Sequence, residues 1–255
     1  KKGTKYDAKG AVEISGYHWG HMGWNPIAWT PQLRQFGVTP VSDDGKKAFP
    51  NSREALIKAL QWRYDLIYKH KTMPVPDPAF NTSDMFVAEK ILAMTIWPVF
   101  INRLPATLVK DKFEVGFFYV PLDKKGAKRR NMLNEHVHGV TTSCKNPEAG
   151  FEYLKWHSST EFCVQGLLSG KGAPVGRPDL FKDQRAIKIF PGLTLLEPIM
   201  AEIEPDFFVG NFRGEEFDKV VQDNGDLLAL NKQKTEETAD KIISGCQAVL
   251  DKQPA

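Results

Sequence analysis

Cysteine is scarce. The chain has three, Cys144, Cys163 and Cys246, in 255 residues. So few exclude a disulfide framework as the basis of the fold. An odd number leaves at least one thiol free in a monomer, and the sequence pairs none of them. Long hydrophobic runs are also missing. No stretch of about 18 apolar residues occurs, so no segment reads as a membrane-spanning helix. Charge of one sign is lacking too: 34 Lys and Arg stand against 31 Asp and Glu, for a net charge of +3. That balance argues against a nucleic-acid partner, and no basic stretch carries interleaved aromatics. The densest basic run, residues 124–130, reads as a solvated loop. Lys1-Lys2-Gly3-Thr4-Lys5 is polar and no apolar stretch follows it, so no secretory signal opens the sequence.

Catalytic signatures are absent as well. There is no Gly-Xaa-Ser-Xaa-Gly elbow, no phosphate-binding loop ending in Lys-Ser or Lys-Thr, and no dinucleotide fingerprint after a strand. Ser169-Gly170-Lys171-Gly172 is rich in glycine but lacks the spacing that aims consecutive N–H groups at a phosphate. No cofactor is indicated, and an enzyme is not the expectation.

What is present is a globular composition, 42% hydrophobic and 25% charged, with chain enough for one large domain or two small ones. Ala11 to Ile14 alternates weakly after a Lys9-Gly10 turn, as an incoming strand does. A short helix is expected from Pro31 to Phe36, stopped at Gly37. Ser42-Asp43-Asp44-Gly45-Lys46 is a turn. Asn51 and Glu54 resemble a capping box, and Leu56, Ala59, Leu60, Arg63 and Ile67 follow at three-to-four spacing with one polar interruption. That helix is expected to end near Lys71. Asn81 or Ser83 opens another through Phe86, Ile91 and Leu92, and residues 93–96 read as a short buried strand. Phe113, Val115, Phe117 and Tyr119 alternate as a half-buried strand does, and residues 138–142 read as one more. Asn146-Pro147-Glu148 starts a helix through Phe151, Leu154 and Trp156, and Ser158 with Glu161 suggests a second capping box. Helices are expected over residues 193–204 and 217–230, the latter broken near Asn224-Gly225. The last has Thr235 as cap and Ala239, Ile242, Ile243, Cys246, Val249 and Leu250 on one face. Short strands between long helices indicate an α/β chain.

Two residue types carry the functional signal. The tryptophans and phenylalanines Trp19, Trp24, Trp29, Trp97, Phe100 and Phe212 fall in or beside loops, whereas Trp62 and Trp156 lie within helices and read as core. Aromatic rings stack on the C–H faces of sugars while Asn, Asp, Glu, Arg and His satisfy the hydroxyls. The histidines are the rival: His18 with His21, and His136 with His138 beside Glu135, could supply ligands to zinc in a metal-dependent enzyme. The segment around His18 does not read as a helix, so its pair has no common face. No metal is assigned.

Blocks of the sequence come in the order of a known family. The Asp43-Asp44-Gly45-Lys46 turn and the helix through Ala59-Leu60-Gln61-Trp62 and Asp65-Leu66-Ile67-Tyr68-Lys69 resemble that family's strand, turn and long helix. Met85-Phe86-Val87-Ala88 to Ala93-Met94-Thr95-Ile96 is similar to its next segment. Ser143-Cys144-Lys145-Asn146-Pro147-Glu148-Ala149 and Ser159-Thr160-Glu161 resemble its later helix and the turn after it, and Asn211-Phe212-Arg213-Gly214-Glu215-Glu216-Phe217 its tail. The family is that of the carbohydrate-type extracellular solute-binding proteins of bacterial ABC importers, relatives of maltose-binding protein. The resemblance covers nearly all of the chain.

The resemblance implies a periplasmic-binding-protein-like (type II) bilobal α/β fold, with the N-terminal part of the first lobe missing. Residues 1–137 and 187–255 would form the second lobe, and 138–186 would return to the first. It implies a monomeric receptor in the periplasm or on the outer face of the cell membrane. The receptor would bind a mono- or oligosaccharide and deliver it to an ABC permease in the inner membrane; the alternative is a receptor of the same architecture for another solute, such as a peptide, polyamine, phosphodiester or metal complex. Carried over by position, Trp24 and Asn25 match the first ligand-facing loop, and Trp97 or Phe100 the stacking aromatic. Phe212, Arg213 and Glu215 match the start of the late helix that closes over ligand, and His136 and His138 lie at the hinge. One departure stands out: Trp97-Pro98-Val99-Phe100 is one residue shorter than the family's turn. A chain with half a cleft is expected to bind solute weakly or not at all alone and to leave a sheet edge and apolar faces exposed.

Overall fold

Apolar residues at three-to-four spacing decide most of the architecture. The computed structural model describes residues 3–19, 26–76, 82–95, 112–122, 130–133, 138–169, 177–200, 202–205 and 213–252. The first elements are β1 (Lys5–Tyr6), β2 (Val12–Ile14), β3 (His18–Trp19), α1 (Pro26–Gln35), α2 (Arg53–Tyr68), α3 (Thr82–Val87), β4 (Met94–Thr95) and β5 (Asn131–Leu133). Then come α4 (Pro147–His157), α5 (Thr160–Leu168), α6 (Gln184–Ile189), α7 (Leu193–Met200), β6 (Ile203–Pro205), α8 (Gly214–Ala229) and α9 (Thr235–Leu250). The chain divides into two units. One holds residues 1–96, 120–133 and 204–255, the other 97–119 and 134–203.

The first unit is built on three helices. The α2 stripe of Leu56, Ala59, Leu60, Arg63 and Ile67 is buried, the same residues that the spacing selects. It faces Phe217, Val221 and Leu228 of α8 and Ala239, Ile242 and Cys246 of α9. α2 and α8 run the same way. Phe49, just before α2, stacks on Phe217 in the first turn of α8 at 5.8 Å, while Tyr68 at the end of α2 donates to the carbonyl of Ala229, 2.8 Å. Gly245 lets α9 close on α8, because a Cβ there would stand 2.7 Å from Val220 Cγ1. Phe217 is fully buried. Phe217→Ala should therefore cost about 3–5 kcal/mol, read from urea unfolding, by lost transfer energy and the cavity left behind.

Several boundaries differ from the sequence reading, each for a local reason. Ser52, not Asn51, is the N-cap residue of α2, and Asn51 takes a left-handed conformation, φ 52°. Ser52 accepts instead from Thr39 N, 3.0 Å, and so ties the preceding loop to the helix start. α2 stops at Tyr68, where the chain turns through left-handed Lys71 and Thr72 N returns to Leu66 O. α3 stops at Val87 because Glu89 is left-handed and Lys90 N returns to Met85 O. Ile91 and Leu92 are therefore not helical. Ile91 pairs with Ser15 in a parallel bridge that leads into the β3–β4 pair. The expected strand at 93–96 is confined to Met94–Thr95, with Ala93 and Met94 half-buried. α8 is unbroken at Asn224-Gly225: the Asn224 amide donates back to Val220 O, 2.8 Å, and Gly225 is buried in the helix contact. Thr235 lies inside α9 and Lys234 is its N-cap, which frees the Thr235 hydroxyl to donate to Gln61 Oε1, 2.8 Å. Gly37 ends α1 as expected, at φ 87°.

The second unit has a smaller core of Cys163, Val164, Leu167, Leu180, Phe181, Ala186, Phe190 and Leu193. Asn146 caps α4, accepting from Ala149 N at 3.1 Å. Ser158 closes α4, so the cap of α5 falls one residue later, on Ser159, which accepts from Phe162 N at 3.2 Å. Arg177 braces this junction, donating to Ser158 O at 2.9 Å and pairing with Asp179. α7 stops at Met200 and β6 follows, so the helix expected to 204 is shorter. Residues 113–119 keep the alternation read from the sequence, with Phe117 edge-on to Phe190 at 5.1 Å and Phe118 exposed, but they form no strand. Residues 138–142 are not a strand either. They are exposed and lead into a turn closed by Cys144 N to Thr141 O, 3.0 Å.

Trp156 is the clearest reversal. It was expected in the core, yet it is 55% exposed, as are Phe151 at 59% and Tyr153 at 56%. No residue of α4 is buried. The helix pattern is right, but beyond an edge-on contact from Phe162 to Trp156 at 4.6 Å this face stays open among the described residues. Trp156→Lys should change the stability of the 255-residue chain by less than about 0.5 kcal/mol in thermal melts, since exposed positions carry little. The same change should lower the binding of an apolar dye. Among the described residues all three cysteines are free thiols, Cys163 and Cys246 buried.

Candidate ligand-binding site

β3 and β4 are parallel neighbours, paired His18 to Met94 and Trp19 to Thr95. Their carboxyl ends therefore leave the ladder side by side, about 4.8 Å apart. In open α/β sheets, ligands sit outside the carboxyl ends of strands, where no helix covers the chain. Trp24 and Asn25 follow β3 by five and six residues, and Trp97 and Phe100 follow β4 by two and five. These four candidates, with His21, His136 and Phe212, lie outside the described residues. What the structure gives is the pair of strand ends from which the first two segments start.

No family model and no curated protein matches the sequence. Solved structures do. Maltose-bound MalE3 of T. maritima superposes with a TM-score of 0.75 at 21% identity, over 92% of this chain and 60% of that one. The maltose/maltodextrin-binding domain MalE of Bdellovibrio bacteriovorus, bound to maltotriose, gives 0.72 at 15% identity over 94% and 61%. An ABC transporter solute-binding protein of Agrobacterium radiobacter K84 in complex with ribitol gives 0.65 at 18% over 92% and 60%. The chain has the fold of the C-terminal part of a bilobal solute-binding protein. It spans about 60% of the length of these solute-binding proteins.

Within this solute-binding fold, Arg213 is the N-cap residue of α8 and is half-buried. Its guanidinium pairs with Glu216, three residues on, and Lys252 reaches the other oxygen of that carboxylate at 3.2 Å. Hydrogen bonds from Lys252 and then Arg213 hold the Glu216 carboxyl below its usual range. Arg213 is thus pre-oriented by its own helix. Glu215 is exposed in the first turn of α8.

Of the candidate metal-ligating histidines, only His18 and His138 lie among the described residues. His18 is 6% exposed at the end of β3 in the first unit, where burial, and behind it the Arg63 cation, lower its pKa to about 4. It is therefore neutral at pH 7. His138 is exposed in the second unit, its ring 4.7 Å from that of His157. No group of three potential metal-binding side chains occurs among the described residues. A shallow open hollow lies at the start of α4, between Pro147, Glu148, Phe151 and Glu152. It offers two carboxylates and one ring.

The sequence reading missed the most unusual group near the strand ends. Arg63 is 2% exposed in the middle of the apolar α2 stripe, and burial lowers its pKa to about 9 against the pull of Asp226 and Tyr17. Burial raises the Asp226 carboxyl, and Arg63 draws it back. The signal was one charged residue at a core position, read only as an interruption.

Proposed function

We propose that the chain is the ligand-gripping part of the substrate-binding component of an ABC importer, and that its ligand is a carbohydrate or polyol. The reading is carried by one observation: two adjacent parallel strand ends, at Trp19 and Thr95, each feed a segment bearing candidate stacking aromatics. Support comes from solved structures of like fold with maltose, maltotriose, ribitol or D-mannitol bound. In this reading residues 1–137 and 187–255 form one lobe and residues 138–186 belong to the other. Trp24, Asn25, Phe212, Arg213 and Glu215 face the ligand, with Trp97 or Phe100 stacked on a sugar ring. His136 and His138 lie at the crossing between lobes.

No bond is made or broken. Ligand bridges both lobes and favours the closed state by its differential affinity for that state. Hinge residues absorb the rotation. The closed form, a monomer outside the cytoplasmic membrane, then docks on the permease.

Calorimetric titration with maltose, maltotriose, ribitol and D-mannitol, and with a dipeptide and a diamine as controls, tests the reading. Saturable binding of the sugars or polyols only is expected, with affinity lowered at least tenfold (about 1.4 kcal/mol) in Trp24→Ala and Arg213→Ala. Unchanged affinity in both variants would remove those residues from the site. Binding of a control alone would remove the carbohydrate.

A further inference from the structure

We propose that the apolar arc of α4 is a docking surface for a β-sheet, supplied by the part of the solute-binding fold that these 255 residues lack. The fold carries this, not the ligand proposed above. Around the axis of α4 the charged residues Glu148, Glu152 and Lys155 gather on one narrow side. An arc from Trp156 and Tyr153 through His157, Gly150 and Leu154 to Phe151 takes up the rest. At 3.6 residues per turn that arc spans roughly 220°, whereas about 100° suffices for a helix with one packed face. Only the middle of the arc is attached to its own unit. Gly150 lies against Val140 and Cys144, and a Cβ there would stand 3.2 Å from Val140 Cγ2. The His157 ring meets Phe162 of α5 at 4.3 Å and His138 at 4.7 Å. Gly150, Leu154 and His157 are half-buried, while Phe151 on one flank and Tyr153 and Trp156 on the other are exposed.

The fold says what covers the flanks. In α/β folds, helices lie on the faces of a sheet, and that layer buries a wide apolar arc. Among its described residues the second unit has the helices α4–α7 and, apart from Ile203 at the start of β6, no strand. It is a helical layer in want of a sheet. Its relatives have the chain to supply one. MalE3 is matched over 60% of its length, so about 40% of it has no counterpart here. The Bdellovibrio and Agrobacterium proteins leave a like share. Charge agrees with an apolar occupant. On the polar side of α4, Lys155 pairs with Glu152 at 2.8 Å within the helix, so that side can stay in water. The rings on the flanks have no such partner in solvent, and a contiguous exposed apolar patch marks a contact surface.

Hydrogen exchange, read by mass spectrometry, tests the docking surface. The part of T. maritima MalE3 that this chain does not match is joined ahead of Lys1, and the fusion is compared with the 255-residue chain. Amides of residues 149–157 should exchange at least tenfold slower in the fusion, while those of residues 240–250 in α9 keep the rates of the chain alone. The double variant Phe151→Glu/Trp156→Lys leaves the net charge unchanged. It should abolish that protection in the fusion and leave the exchange of the 255-residue chain as it was. Equal exchange at residues 149–157 in fusion and chain, whether or not the added part folds, would overturn the proposal. So would protection that survives the double variant. Sedimentation velocity on the 255-residue chain checks the other occupant. A monomer is expected, and a dimer that the double variant dissolves would give the surface to a second copy and overturn the proposal. Neither measurement uses sugar, so failure of the ligand reading leaves both decisive.

Discussion

Asp226→Leu should destabilise the first unit by about 1–3 kcal/mol, because it removes the carboxylate whose field favours the buried Arg63 cation. Asp226 is half-buried whereas Arg63 is 2% exposed. Most of the loss comes from the cation. Its burial already lowers its pKa to about 9, and the carboxylate is the first group that opposes this. Adding Arg63→Met should return the protein to within about 1 kcal/mol of the parent, because an apolar pair suits the α2 stripe. Urea midpoints of the parent, both single variants and the double variant close this cycle. Additive losses would mean that Arg63 and Asp226 do not interact.

Acidification should cost the fold about 3 kcal/mol between pH 6.5 and about 4 through His18 alone. Histidine in the unfolded chain titrates at 6.5, and His18 in the fold at about 4, chiefly because it is buried and then because Arg63 is near. Across that window the native state binds fewer protons than the unfolded state. The stability this gives is complete above pH 6.5 and is lost as pH falls through the window. Asp226, raised by burial, works in the opposite sense, favouring the fold as the carboxyl takes up a proton. His18→Gln should flatten the dependence of the urea midpoint between pH 7 and about 4. An unchanged slope in that variant would mean that His18 is not held neutral.

Periodicity made the helices legible. The stripes of α2 and α9 were read residue by residue, because one apolar face packed on neighbours leaves a 3.6-residue signature whatever the partners are. Caps were off by one at Ser52 and Ser159 because adjacent Asn-Ser and Ser-Ser offer two candidates. Tertiary use decides between them, as when Ser52 accepts from Thr39. Strands were the weakest part. β4 falls inside the strand expected at residues 93–96, but β3 has only two residues and owes its existence to pairing across 76 positions, which no local pattern records. Trp156 failed for a different reason: amphipathicity shows which face wants cover, not whether the chain supplies it. Of the aromatics read as lying in or beside loops, Trp29 is in α1 and Trp19 ends β3, while Trp24, Trp97, Phe100 and Phe212 lie outside the described residues. The parallel pairing of β3 and β4 was not legible, nor was the burial of Arg63.

Amide chemical-shift mapping of the 255-residue chain titrated with maltose tests the gripping wall most directly, since it detects even millimolar binding by an incomplete cleft. Saturable shifts should gather in residues 18–25, 94–100 and 212–216. Shifts scattered over α4–α7, or none at any concentration of sugar, would contradict the account.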